Sequence, residues 1–308
     1  MSTLLSATGC GASAQISSSL WPRLDQHVSL EPGELGVRWL GAAGFVLRAR
    51  DSVLMVDPFI SRPPLPQLLL GRLGSDEEAL AKLPSASLIA VGHSHYDHVM
   101  DVAAIARRSK AGVLGSPSVC RVIEAMSVNV PCRIADGHTR AALGPFVLRA
   151  MRSEHAKTER GRVPLDGEIE LPIRGRHPHV LELASGGVIA WAIEVEGLRI
   201  LHLGSAGIPS STQLRAFGSI DVVLAAVPIR GSDVQPYAAR LRDELAPSLV
   251  IVHHHDSIFG PLTDPVSQRS WSSFHAMMTG LEPVRTRALP PFEEMKLRKR
   301  GELVTLSE

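Results

Sequence analysis

A chain of 308 residues with 44% hydrophobic and 20% charged side chains has an ordinary globular balance, and it can bury a sizeable core as one large domain or two small ones. Lys plus Arg number 32 against 31 Asp plus Glu, so there is no basic surplus to hold a polyanion, and a nucleic-acid enzyme is disfavoured. No apolar run approaches the roughly 18 to 20 residues needed to span a bilayer.

Residues 1 to about 30 carry no core pattern and read as a leader or tether ahead of a single domain over 31–308. Within them Leu4-Leu5-Ser6-Ala7-Thr8-Gly9-Cys10 resembles the end of a bacterial lipoprotein signal, and a Gly/Ser/Ala/Gln tether follows to Ser19. A basic n-region is missing and the apolar part is short. Two readings stay open: an envelope or periplasmic protein anchored by a lipid on Cys10, or an accidental likeness in a cytoplasmic one.

Short β-type runs at 37–40, 44–49 and 53–56, separated by Gly41-Ala42-Ala43 and Arg50-Asp51-Ser52, make a meander ending at Asp57-Pro58. The next segment, 61–74, carries Pro63, Pro64 and Pro66 followed by Leu68-Leu69-Leu70. It reads either as a flap beside a site mouth or as a buried connecting helix. Ser75 and Glu78 form a capping box for a helix that Pro84 stops.

The apolar strand Leu88-Ile89-Ala90-Val91 then runs into His93-Ser94-His95-Tyr96-Asp97-His98, which holds four ligand-type side chains in six positions. An extended backbone sends residues two apart to one side, so His93 and His95 can meet on one metal ion while Asp97 and His98 turn toward a neighbour. Val99, Val102, Ile105 and Ala106 mark one apolar face of a helix running to about Lys110.

Further elements are a strand at Val113-Leu114, a helix from Ser116-Pro117 to about Met126, and a strand at 146–151 that closes on Ser153-Glu154-His155. The polar stretch 156–178 is long for a structureless loop in a compact domain, which is usually a functional sign. Strands are predicted at 180–183, 188–195, 199–203, 221–227 and 249–252, with helices led by Pro236 and begun at Asp264-Pro265. His253-His254-His255-Asp256 follows the last of those strands. Cys120 and Cys132 pair if the protein is exported or sit as small apolar groups if it is cytosolic.

The HxHxDH pattern at His93 to His98 resembles the metallo-β-lactamase superfamily, and the order of elements supports that resemblance from about Glu34 to the C-terminus. Tyr96 and the upstream Asp57-Pro58-Phe59 are most similar to the branch that holds ascorbate-6-phosphate lactonases and N-acyl phosphatidylethanolamine phospholipases D. The resemblance implies an α+β fold, a four-layer αββα sandwich. It implies metal ligation by His93, His95, Asp97, His98, His155 and a late histidine, with Asp57 as a supporting acid. His254 fits the late position, with Asp256, Phe259 and Pro261-Leu262 after it, and His255 is the rival. Asp256 is expected to bind directly or to orient a histidine. Where most relatives carry a bridging Asp, this chain has Ser205, a neutral and poor bridge that should weaken the second metal or widen the pair.

The activity so implied is hydrolysis of a lactone, a phosphodiester or phosphotriester, or a related small or amphipathic ester by a water activated between two divalent ions. Zinc is the default and manganese or iron fits the same donors. Asp97 would orient the water, Tyr96 would stand on the substrate side, and His177 or His179 would protonate a leaving group. The alternatives are β-lactam hydrolysis and a non-catalytic envelope binding protein that has lost its second metal through Ser205. The oligomeric state is not readable.

Overall fold

The computed structural model describes residues 15–127, 129–170, 173, 177–301 and 303–307. Its strands are β1 (Glu34–Gly41), β2 (Gly44–Ala49), β3 (Ser52–Val56), β4 (Leu88–Ala90), β5 (Gly112–Gly115), β6 (Cys132–Ile134), β7 (Arg140–Leu143), β8 (Phe146–Arg152), β9 (Ile189–Val195), β10 (Leu198–Leu203), β11 (Val222–Ala226), β12 (Leu249–His253), β13 (Thr286–Ala288), β14 (Glu294–Arg300) and β15 (Leu303–Ser307). The helices are α1 (Leu65–Leu70), α2 (Glu77–Ala81), α3 (Tyr96–Val99), α4 (Val102–Ser109), α5 (Pro117–Met126), α6 (Ser211–Phe217), α7 (Gly231–Arg240) and α8 (Trp271–Gly280).

One sheet has the order β15-β14-β1-β2-β3-β4-β5-β6 and the other β13-β12-β11-β10-β9-β8-β7. Strand alternation explains why they stack. Leu54 and Val56 of β3 join Trp191 and Ile193 of β9 and Leu224 of β11 in the core between the sheets, while Met55 faces outward onto Val102, Ile105 and Val119. On the far side, Leu201, Val223 and Val250 pack against Val234, Tyr237 and Met277 of α7 and α8. The result is helix, sheet, sheet, helix, the expected four layers. Each fully buried Leu, Ile or Val in these three cores contributes roughly 1.5–3 kcal/mol relative to exposure.

The strands β3 to β6 run parallel, as do β10 to β13, and β8 runs with β10 because each is antiparallel to β9. The ends of β3, β4, β8, β10 and β12 therefore come out on one side, where α/β sheets collect their sites.

Several expected elements move. The helix at 99–110 is two, α3 and α4, and α3 begins inside the histidine motif. The cap of α2 is Asp76, which accepts from Ala79 N–H at 2.9 Å, while Ser75 donates to Met100 O. Residues 180–182 form a 3-10 turn instead of a strand, with His179 as cap. Pro236 lies inside α7 instead of leading it, and the last helix starts at Trp271 with Ser270 as cap, not at Asp264-Pro265. At 263–267 the Thr263 hydroxyl donates to Pro265 O and accepts from Ser267 N–H, a local alternative to a helical turn.

Cys10 and its neighbours lie outside the described residues. The part of the expected tether that is described is packed: Leu20 and Leu24 are fully buried, and Arg38 donates to Leu24 O at 3.1 Å. Cys120 and Cys132 are joined as a disulfide, the pairing expected of an exported chain.

Candidate metal centre

At the strand ends, six side chains gather into two groups of three. His93, His95 and His155 form one, and Asp97, His98 and His254 the other, each with ligand atoms within 4.8 Å of one another. The backbone is extended through His95 and then turns into α3, which separates the motif into its two halves. The groups share a wall, since the rings of His93 and His98 lie 3.9 Å apart between centroids.

In the first group His93 Nε2 and His95 Nδ1 face each other at 2.9 Å. The opposite nitrogen of each ring is already engaged: His93 Nδ1 with Ser205 Oγ at 3.1 Å, His95 Nε2 with Pro164 O at 2.9 Å, and His155 Nδ1 with Ala156 O at 2.7 Å. An outer partner that fixes tautomer and ring orientation is how metal-ligating histidines are held. Burial, with neighbouring imidazoles adding to it, lowers the pKa of His93 and His95 and brings His155 down to about 4, which keeps these rings neutral and able to donate a lone pair.

In the second group Asp97 Oδ2 lies 3.2 Å from His254 Nε2 and 3.6 Å from His98 Nε2. Burial works against the Asp97 charge, but His98 and His254 outweigh it and hold the carboxyl well below its usual range. His98 Nδ1 meets Asp57 Oδ2 at 2.9 Å, and although burial lowers the pKa of His98, Asp57 and Asp97 together raise it. Asp57 is fully buried, with Gly92 N–H donating to it at 2.5 Å. Glycine leaves room for it: a Cβ at position 204 would stand 2.7 Å from Asp57 Oδ2, and one at Gly92 a tight 3.0 Å.

His95 and His155 of the first group and Asp97 and His254 of the second line the floor of a cavity of about 430 Å³ walled by Leu68, Leu69, Leu165, Val180, Leu181, Val227, Ile229, Ile258 and Phe259, with Tyr96 and Ser205 also lining it. Segment 61–74 thus carries the short helix α1, whose Leu68 and Leu69 line the cavity, and Ala156, Thr158, Pro164 and Leu165 supply wall from the loop that follows β8. Arg269 is the one Lys or Arg that lines the cavity among the described residues, and its guanidinium donates to Val227 O and Pro228 O at 2.9 Å each.

Other candidates are placed elsewhere. His254 sits at φ +56°, which breaks the strand's alternation and aims it at Asp97. Its rival His255 is stacked on Trp39 at 4.9 Å with Nδ1 on Gln268, away from both groups. Asp256 is in neither group, because its carboxylate accepts from Ala42 N–H at 3.0 and 3.1 Å and from the buried Arg62 guanidinium. It holds the loop that carries His254. Ser205 lines the cavity, and its Oγ lies 3.1 Å from His93 Nδ1. His177 and His179 do not line the cavity: they bond Leu73 O and Leu69 O and so tie α1 to the turn at 180–182. Arg62 carried no signal in the sequence; His253, part of the histidine run, is fully buried, and its ring stacks 5.2 Å from that of the equally buried His202.

A family model described as "Beta-lactamase superfamily domain" matches residues 36–254. The chain is 24% identical over 260 residues to a "UPF0173 metal-dependent hydrolase" from Polynucleobacter asymbioticus, covering 80% of this chain and 81% of that protein. Among solved structures, a metallo hydrolase from the archaeon Ignicoccus hospitalis superposes with a TM-score of 0.56 at 15% identity, over 87% of this chain and 100% of that one. A metallo-beta-lactamase fold protein from Bacillus subtilis does so with a TM-score of 0.54 at 10% identity, over 85% and 99%.

Proposed function

The chain belongs to the beta-lactamase superfamily and is a metal-dependent hydrolase, and from that premise we propose that it cleaves an uncharged, largely apolar ester, such as a lactone or a phosphotriester. The observation that carries this reading is the pair of three-donor groups at the bottom of an apolar-walled cavity of about 430 Å³. Away from the floor the wall offers a substrate mostly leucine, valine and isoleucine side chains, and its one cation, Arg269, donates through Nη2 to Val227 O and Pro228 O at 2.9 Å each.

His93, His95 and His155 would hold one ion and Asp97, His98 and His254 the second, with Asp57, Ser205 and the carbonyls of Pro164 and Ala156 fixing the rings behind them. When bound, two divalent ions supply a water of lowered pKa and polarise the carbonyl or phosphoryl oxygen; zinc suits the donor set, as do manganese and iron. Asp97, ionised and facing the cavity, accepts the hydrogen bond that orients the attacking water. Tyr96, whose pKa burial pushes up, stays protonated on the substrate side and donates to Ile258 O at 3.3 Å. The leucines of the wall exclude bulk water, which strengthens every polar interaction on the floor. The Cys120–Cys132 disulfide supports an exported location.

Chelator-stripped protein is expected to lose turnover of aryl esters, lactones and phosphotriesters and to regain it on addition of zinc, with neutral apolar substrates preferred over anionic ones. Full turnover without metal, or a preference for a phosphomonoester, would overturn the reading.

A further inference from the structure

The mouth of the cavity has an apolar lip that none of the described residues covers. Leu70 and Leu181 are 87% and 70% exposed, Leu69 and Phe259 56% and 53%, and Leu65 45%. These side chains are presented by fixed backbone: His179 Nε2 bonds Leu69 O at 3.0 Å and Leu73 N–H donates to Pro178 O at 2.8 Å, so α1 and the turn at 180–182 form one joined edge. Exposed leucines clustered at one opening mark an interaction surface rather than scattered surface apolarity.

The N-terminal chain points to what covers it. Ile16 bridges Leu262, Leu262 N–H donates to Gln15 O at 2.8 Å, and Leu262 is three residues from Phe259 on the lip. Cys10, in its lipoprotein-like sequence, is five residues ahead of Gln15, at most ~18 Å along an extended chain. A lipid on that cysteine would enter a bilayer close to the cavity mouth.

We propose that the lip seats on a lipid surface, with Leu65, Leu69, Leu70, Leu181 and Phe259 entering the headgroup boundary and the cavity opening toward the bilayer. Five part-exposed side chains offer less than the ~800 Å² per partner that a stable protein pair buries, whereas insertion into lipid needs no complementary shape. The cavity then receives apolar substrate directly from the lipid phase. This rests on the hydrolase reading only for what the mouth admits, and the binding test uses no turnover.

The experiment is co-sedimentation of the full, unacylated chain with vesicles of phosphatidylcholine and phosphatidylglycerol. Leu65→Glu/Leu70→Glu alters two lip residues that do not line the cavity. The intact chain is expected to bind, and the double variant to bind at least ~10-fold more weakly while hydrolysing a water-soluble ester at the unaltered rate. A Leu65→Ala/Leu70→Ala variant, which adds no charge, should fall between them. An intact chain that stays in the supernatant, a double variant that binds equally well, or a chain dimer split by these substitutions would overturn the proposal.

Discussion

His95→Ala is expected to lower turnover at least ~10³-fold and to halve the metal content while leaving the fold intact. The magnitude follows from what the ring does. His95 Nδ1 stands 2.9 Å from His93 Nε2, and its other nitrogen is fixed on Pro164 O, so the ring is held in place as a donor of the first group. Two imidazoles remain in that group, too few for a tight tetrahedral site. Lost with the ion are the activation of the water and part of the stabilisation of the developing anion, and each such effect is worth roughly 10²–10³ in rate. Far-ultraviolet circular dichroism and a thermal melt separate this from unfolding. Turnover at the unaltered rate in a well-folded variant would show that the chemistry takes place elsewhere.

Arg62→Ala should be the most damaging change away from the donors, destabilising the protein by ~3–5 kcal/mol in a denaturant titration. Arg62 and Asp256 are both about 1% exposed and paired, and Arg62 Nη1 also donates to Ser257 O at 3.1 Å. Burial alone would raise the Asp256 pKa, and Arg62 is the leading influence that brings it down. Removing Arg62 leaves a buried carboxylate without its cation, whereas Arg62→Met with Asp256→Leu removes both charges and should cost much less. The same loop carries His254, so the single variant should also lose metal preferentially from the Asp97, His98 and His254 group. A single variant as stable as the parent would contradict this account of the pair.

The part of the site legible in the sequence is the part that lies close together in the chain. His93 to His98 are contiguous, and an extended run turning into a helix divides them as the two groups of the structure do. His155 and His254 could be placed only through the family's order of elements. Strand alternation alone could not choose among His253, His254 and His255, because the left-handed backbone at His254 interrupts it. The partner of Asp256 was not legible for a different reason: Arg62 is 194 residues away in a proline-rich segment that gives no hint of a buried arginine. His177 and His179 read as mouth residues, but backbone carbonyls of α1 and the segment after it bind their rings. The strand Glu294–Arg300 was not predicted, since Leu297 is the one of its seven residues that is fully buried, and it takes its place in the sheet between β1 and β15.

Metal content of the purified chain, measured by plasma mass spectrometry alongside protein concentration, bears most directly on the whole account. Two divalent ions per chain are predicted, falling to one in His95→Ala. A well-folded preparation, supplied with zinc, that retains no ion would contradict it.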